Sequence, residues 1–166
     1  MSTSTTRRST PLTTVQKEDR LIRRAIALLE ARIFKHEAPV LTLPTAMNYF
    51  QLRLVPQPNE VFAAIFLNSH LQALAYEALS TGSITETHVN FRVVAQRVLA
   101  HNAAAVIFAH QHVSGSTTPS PADRKLTEEL RDFLLKIDVR LLDHLVIGQG
   151  GAYSFAEAGQ LQYSDS

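Results

Sequence analysis

The sequence predicts an α/β or α+β sandwich, and three observations predict it. The 166 residues, 45% of them hydrophobic, suffice for one compact domain with a sizeable core. Beyond residue 60, apolar runs of strand length alternate with stretches whose apolar residues recur at helical spacing. Interleaving of that kind covers a sheet with helices rather than stacking two sheets.

The elements follow in order. Residues 1–17 form a Ser/Thr-rich tail carrying Arg7 and Arg8, too poor in apolar groups to offset its ordering entropy, and it is expected to be disordered. Residues 18–58 are a helical leader. From Asp19 to Phe34 the residues Leu21, Ile22, Ala25, Leu28, Leu29 and Ile33 fall on one side of a helix, with Arg20, Arg23, Arg24 and Arg32 between them. A second helix over Thr45 to Leu52 stops before Pro56 and Pro58. Residues 59–162 are the alternating domain. Val61 to Leu67 and Leu71 to Ala78 read as neighbouring strands joined by the turn Asn68-Ser69-His70. Asn90 to His101 carries Phe91, Val94, Val98 and Leu99 at helical spacing and returns the chain to a buried strand, Ala103 to Ala109. Ser120 to Ile137 is a helix with the stripe Leu126, Leu130, Phe133, Leu134 and Ile137. Val139 to Ile147 and Ala152 to Phe155 are the last strands, divided by Gly148-Gln149-Gly150-Gly151.

Composition narrows the chemistry. Sixteen basic and fifteen acidic side chains leave a net charge of +1, so no overall field recruits nucleic acid or an anionic membrane. With no cysteine, disulfides and thiolate sites are excluded, and any metal must be held by His, Asp or Glu. No apolar stretch approaches the roughly 18 to 20 residues of a membrane span, and the polar start lacks a signal peptide's apolar core, so the expectation is a cytoplasmic chain with no membrane partner.

One run carries recognisable chemistry. His110 and His112 are two residues apart at a strand end, where an extended chain puts both imidazoles on one face, and Asp123 follows in the first turn of the next helix. The three read as ligands of one metal ion. Two His and one carboxylate leave a coordination position open, which a catalytic zinc keeps for water, whereas a structural zinc has four protein ligands. Each residue also has a plainer explanation. A lone His at a strand end is usually a polar residue at the edge of a core, and His36, His70, His88 and His101 are left on that reading. Ser120-Pro121-Ala122-Asp123 is by itself a good helix start, with Ser as N-cap, Pro at the first position and an acid at the third. The conjunction of three ligand types at one strand-loop-helix junction favours the metal. Asp143 and His144, in a strongly apolar strand, read as a hydrogen-bonded structural pair; a functional role would be supporting the ligands or facing substrate.

His110-Gln111-His112, ten intervening residues and Asp123, with Ser120 three before it, resembles the JAMM motif of the JAB/MPN metalloprotease superfamily. Glu60 to Leu161 is similar to the RadC-like JAB domain through Val61 to Asn68, the helix near Arg92, Asn102 to Ile107, Ser114-Gly115, Asp143-His144 and Tyr153 to Glu157. The resemblance implies a cytidine-deaminase-like JAB/MPN three-layer sandwich, with a mixed β-sheet flanked by helices. It further implies a zinc-dependent hydrolase, a metallopeptidase or isopeptidase acting on a peptide-like amide of unknown protein or peptide substrates. His110, His112 and Asp123 would hold Zn2+, Ser120 would hydrogen-bond the developing oxyanion, and a Glu at the start of an upstream strand would take the water proton. Glu60 matches that position best, with Glu77 and Glu86 as competitors. Family members usually have Asn between the histidines and Pro after the second; Gln111 and Val113 depart from this, and Val113 frees the backbone after His112. Longer members carry an amino-terminal helix-hairpin-helix region for which this sequence has no room, and the chain resembles the short members often encoded on prophages. The other functional reading is a non-catalytic or DNA-associated accessory protein of repair type, touching DNA weakly through the basic leader helix, although the near-neutral charge argues against strong autonomous binding.

Overall fold

The computed structural model describes residues 13–35, 37–82 and 89–162. The expected tail lies outside them as far as residue 12, as do Glu86, His36 and His88. Four helices and five strands are described, α1 Thr14–Ile33, α2 Leu43–Leu54, β1 Val61–Leu67, β2 Ala73–Thr81, α3 Phe91–Ala100, β3 Ala105–Gln111, α4 Pro121–Leu135, β4 Arg140–Gly148 and β5 Gly151–Ser154. The sheet order is β2-β1-β3-β4-β5. β3 and β4 run parallel, and every other neighbouring pair is antiparallel. This is the mixed sheet that the sequence resemblance implied.

Helix α1 begins five residues before the expected Asp19. Its start is set by a capping box in which Thr13 and Gln16 exchange side-chain and backbone hydrogen bonds, so the last residues read as tail are helical. Its buried seam is narrower than the apolar stripe suggested. Ile26, Leu29 and Ile33 pack on the core, while Leu21 is 69% and Leu28 53% exposed, and the main contact of α1 is with α2. Arg20, Arg23, Arg24 and Arg32 are all exposed. Thr42 caps α2, which buries Ala46, Tyr49, Phe50 and Leu54, and the Tyr49 hydroxyl donates to Glu30 of α1 at 2.7 Å. No helix among the described residues is long and apolar enough to cross a membrane.

Strands β1 and β3 are buried at all seven positions, as continuous apolar runs covered on both faces must be. One face packs against α1 and α2 through Ala63, Ile65, Ile107, Ala109 and Ile147; the other packs against α3 and α4 through Phe62, Phe66, Phe108, Leu130 and Leu134. Three layers result. On α3, Leu99 is 66% exposed and not part of the expected stripe, which Val94 and Val98 supply.

Every strand but β1 has ends that differ by one to three residues from the sequence reading, and two of these shifts have a clear cause. β2 starts at Ala73 rather than Leu71, because Leu71 adopts φ 58° to close the turn organised by the Asn68 side chain, which accepts from His70 and Gln72 N–H. β3 runs to Gln111 rather than Ala109. Pairing with β1 (Phe62 opposite His110) and β4 (His110 opposite Val146, Gln111 opposite Ile147) carries two polar residues into the sheet.

Candidate metal centre

The polar end of β3 needs partners, and α4 brings them. His110 shares a face with Phe108, the face covered by α4, and its side chain is fully buried. Ser120 caps α4, with Pro121 in the first turn, and the cap is reciprocal. The Ser120 hydroxyl accepts from Asp123 N–H, while Asp123 Oδ2 accepts from Ser120 N–H and from its hydroxyl, both at 2.7 Å. Asp123, 1% exposed, is therefore seated by its own helix start.

The three expected ligands meet. His110 Nε2 lies 3.2 Å from His112 Nε2 and 3.2 Å from Asp123 Oδ1, and His112 Nε2 lies 3.3 Å from Asp123 Oδ2. They form a group able to hold a metal ion. Ligand atoms about 2.0–2.1 Å from a tetrahedral zinc stand roughly 3.3–3.4 Å apart, close to the spacing of the two imidazole nitrogens, and the carboxylate faces them with one oxygen towards each. Asp123 Oδ1 supports the fit independently. It is a buried polar atom without a hydrogen-bond partner, an arrangement that costs about 1–3 kcal/mol unless a cation faces it. Burial pushes the Asp123 pKa up, but the adjacent His110 and the two Ser120 bonds outweigh it and hold the carboxyl well below the usual carboxylate range. Of the three expected ligands His112 is the one open to solvent, 17% exposed, and its Nδ1 donates to the Ser116 carbonyl at 3.2 Å.

Glu60 precedes β1. Continuing the β1–β3 register past Phe62 and His110 places it at the level of His112. The residues on either side of it are held by Gln111, whose side-chain carbonyl accepts from Val61 N–H at 3.0 Å and whose amide donates to the Asn59 carbonyl at 2.7 Å. Gln111 thus points away from its histidine neighbours. Glu77 stands elsewhere: on β2 it binds Arg97 and His101 of α3 and its cap, and the Arg97 hydrogen bond is the largest influence holding its pKa low. Val113 is exposed, and the turn after His112 is closed by Gly115, at φ 76°, donating to the His112 carbonyl at 2.8 Å. A cleft of about 180 Å³ opens beside His112, lined by Val55, Pro58, Val113, Gly115 and Ile147 among others.

Two residues support the centre without having been chosen as ligands. His144 Nε2 is 2.9 Å from His110 Nδ1, and His144 Nδ1 is 2.7 Å from the Thr127 hydroxyl. The sequence signals for His144 are a polar residue in an apolar strand and its place in the Asp143-His144 pair that carries part of the family resemblance; Thr127 has none. Asp143, beside it, is structural: its carboxylate accepts from His144 and Ala156 N–H and from the Ser154 hydroxyl, fastening the segment after β5 to β4.

Comparison with known proteins points the same way. The family described as RadC-like JAB domain matches residues 41–160. A UPF0758 protein of Xanthomonas euvesicatoria pv. vesicatoria (strain 85-10) is 50% identical over 119 residues, 72% of this chain and 53% of that protein. One from Xylella fastidiosa (strain 9a5c) is 50% identical over 117 residues, 70% of this chain and 52% of that protein. The UPF0758 protein YfjY of Escherichia coli (strain K12) is 40% identical over 142 residues, 86% of this chain and 89% of that protein. The chain spans about half the length of the first two and most of the third.

Proposed function

Because the chain belongs to the RadC-like JAB domain family, we propose that His110, His112 and Asp123 hold a zinc ion and that the protein is a JAMM-type hydrolase acting on a peptide-like amide. The observation that carries this reading is the unpartnered Asp123 Oδ1, buried 3.2 Å from His110 Nε2. Two imidazole nitrogens and a carboxylate close enough to reach one ion, with solvent reaching His112, suit zinc with a position left for water. Zinc in such a site acidifies water and polarises a carbonyl.

The remaining work falls to side chains of this chain. Glu60, at the level of His112, takes the proton of the attacking water and passes it to the leaving amine. Gln111 keeps the backbone on either side of that carboxylate in place. Ser120 serves the developing oxyanion by turning its hydroxyl hydrogen away from Asp123 Oδ2, which retains the Ser120 N–H bond at 2.7 Å. The cleft beside His112 receives the chain flanking the scissile amide, and its lining is apolar or uncharged apart from the histidine.

Elemental analysis and calorimetry test the proposal. The purified chain should take up one zinc, and His110→Ala, His112→Ala and Asp123→Ala should each abolish uptake; a wild-type chain that takes up none overturns the reading. Glu60→Gln should keep its zinc and lose about 10²–10⁴-fold in turnover of a cleaved peptide.

A further inference from the structure

The imidazole of His144 contacts His110 on the nitrogen opposite the metal-facing one. A metal-binding histidine ordinarily gives its other N–H to a carboxylate, a carbonyl or water, and a carboxylate or carbonyl can only accept, which fixes the ring's tautomer. His112 follows that rule with the Ser116 carbonyl. His110 does not, since a second imidazole either donates or accepts. If His144 donated, a neutral His110 would carry its hydrogen on Nε2 and could not bind an ion there.

Thr127 removes the ambiguity. Its oxygen lies 2.6 Å from the Asp123 carbonyl oxygen, too close for two oxygens without a hydrogen between them, and the carbonyl has none to offer. The single hydroxyl hydrogen is therefore committed to Asp123, the back-bond a helical threonine makes to the residue four before it. The hydroxyl presents only lone pairs to His144 Nδ1, 2.7 Å away, so that nitrogen must carry a hydrogen. His144 is fully buried, stacked on Phe155 and edge-on to Phe62, with no carboxylate hydrogen-bonded to either ring nitrogen, and it stays neutral. Its Nε2 is then bare, and the 2.9 Å contact is satisfied only by a hydrogen on His110 Nδ1.

We propose that Thr127 and His144 are a positioning pair that fixes a hydrogen on His110 Nδ1 through a one-way hydrogen-bond chain, reserving His110 Nε2 for the metal. The consequence for metal binding rests on the zinc reading; the direction of the chain does not. The chain also starts at the backbone of Asp123, so one helix supplies a ligand and the orientation of another.

Nitrogen-15 NMR on the zinc-free wild-type chain should find His144 protonated on Nδ1 and bare on Nε2, and His110 protonated on Nδ1. A hydrogen on His144 Nε2 overturns the proposal whether or not zinc binds. Thr127→Val keeps the side-chain shape but removes the hydroxyl. It should let a population with the hydrogen on His144 Nε2 appear and weaken zinc binding on the order of 10–100-fold, while Thr127→Ser restores both. A folded Thr127→Val chain with wild-type tautomers and wild-type zinc affinity overturns the proposal. A wild-type chain that takes up no zinc defeats the metal reading alone, because the spectrum still decides the direction of the chain.

Discussion

Gln111 sits between two candidate ligands and serves neither. Strand alternation turns it to the opposite face, where a side chain 4% exposed replaces the ladder bonds that a neighbouring strand would give Asn59 and Val61. The spacing of the histidines foretold its direction but not its task, since its partners lie some fifty residues earlier. Gln111→Leu leaves the buried Val61 N–H without its partner, worth about 1–3 kcal/mol, so denaturant unfolding should show a loss of that order while zinc uptake persists. His144 was harder to read. Its partner on β3 is brought beside it by parallel pairing, in which Phe108 lies opposite His144 and His110 opposite Val146, and no local pattern encodes that register.

At the scale of elements, the candidate metal centre is a junction between the end of β3 and the start of α4, and the β4–β5 hairpin approaches the loop that joins them. Gly148 lets that hairpin approach. A Cβ there would stand 2.5 Å from the Gly115 carbonyl oxygen and 2.6 Å from Thr117 Cγ2, inside the loop that follows His112. Gly148→Ala should cost about 1–3 kcal/mol by overpacking and weaken zinc binding, because the displaced loop carries the Ser116 carbonyl that orients His112. Thermal melts and zinc titration of the variant check both. Periodicity located every described helix and strand, because runs of seven buried residues and capped amphipathic helices announce themselves. It misplaced ends where a side-chain cap, a left-handed residue or pairing with distant strands decided them, at Thr13, at Leu71 and at His110 respectively.

Across the whole molecule, two carboxylates away from the ligands respond to pH in opposite senses. Glu77, held low first by its Arg97 hydrogen bond, contributes stability that is present above its ordinary value of 4.5 and is lost as pH falls through the depressed one. Asp143 is raised first by burial, so its contribution is present below its ordinary value of 3.8 and is lost as pH rises through the raised one. Melting curves of the zinc-free chain should show Glu77→Gln less stable than wild type at pH 7, with the gap closing under acid. Asp143→Asn, which still accepts both N–H groups, should be tolerated at pH 7. The larger lesson lies in the stretch from Val113 to Pro119. It joins the two elements that own the ligands yet contributes only a main-chain carbonyl to them, a group that any residue supplies. Ser114 and Ser116 brace the loop by accepting backbone N–H groups through their hydroxyls, so on the proposed function it is at the exposed Val113 and Thr118 that the segment can be rewritten to suit a different target while the candidate ligands stay fixed.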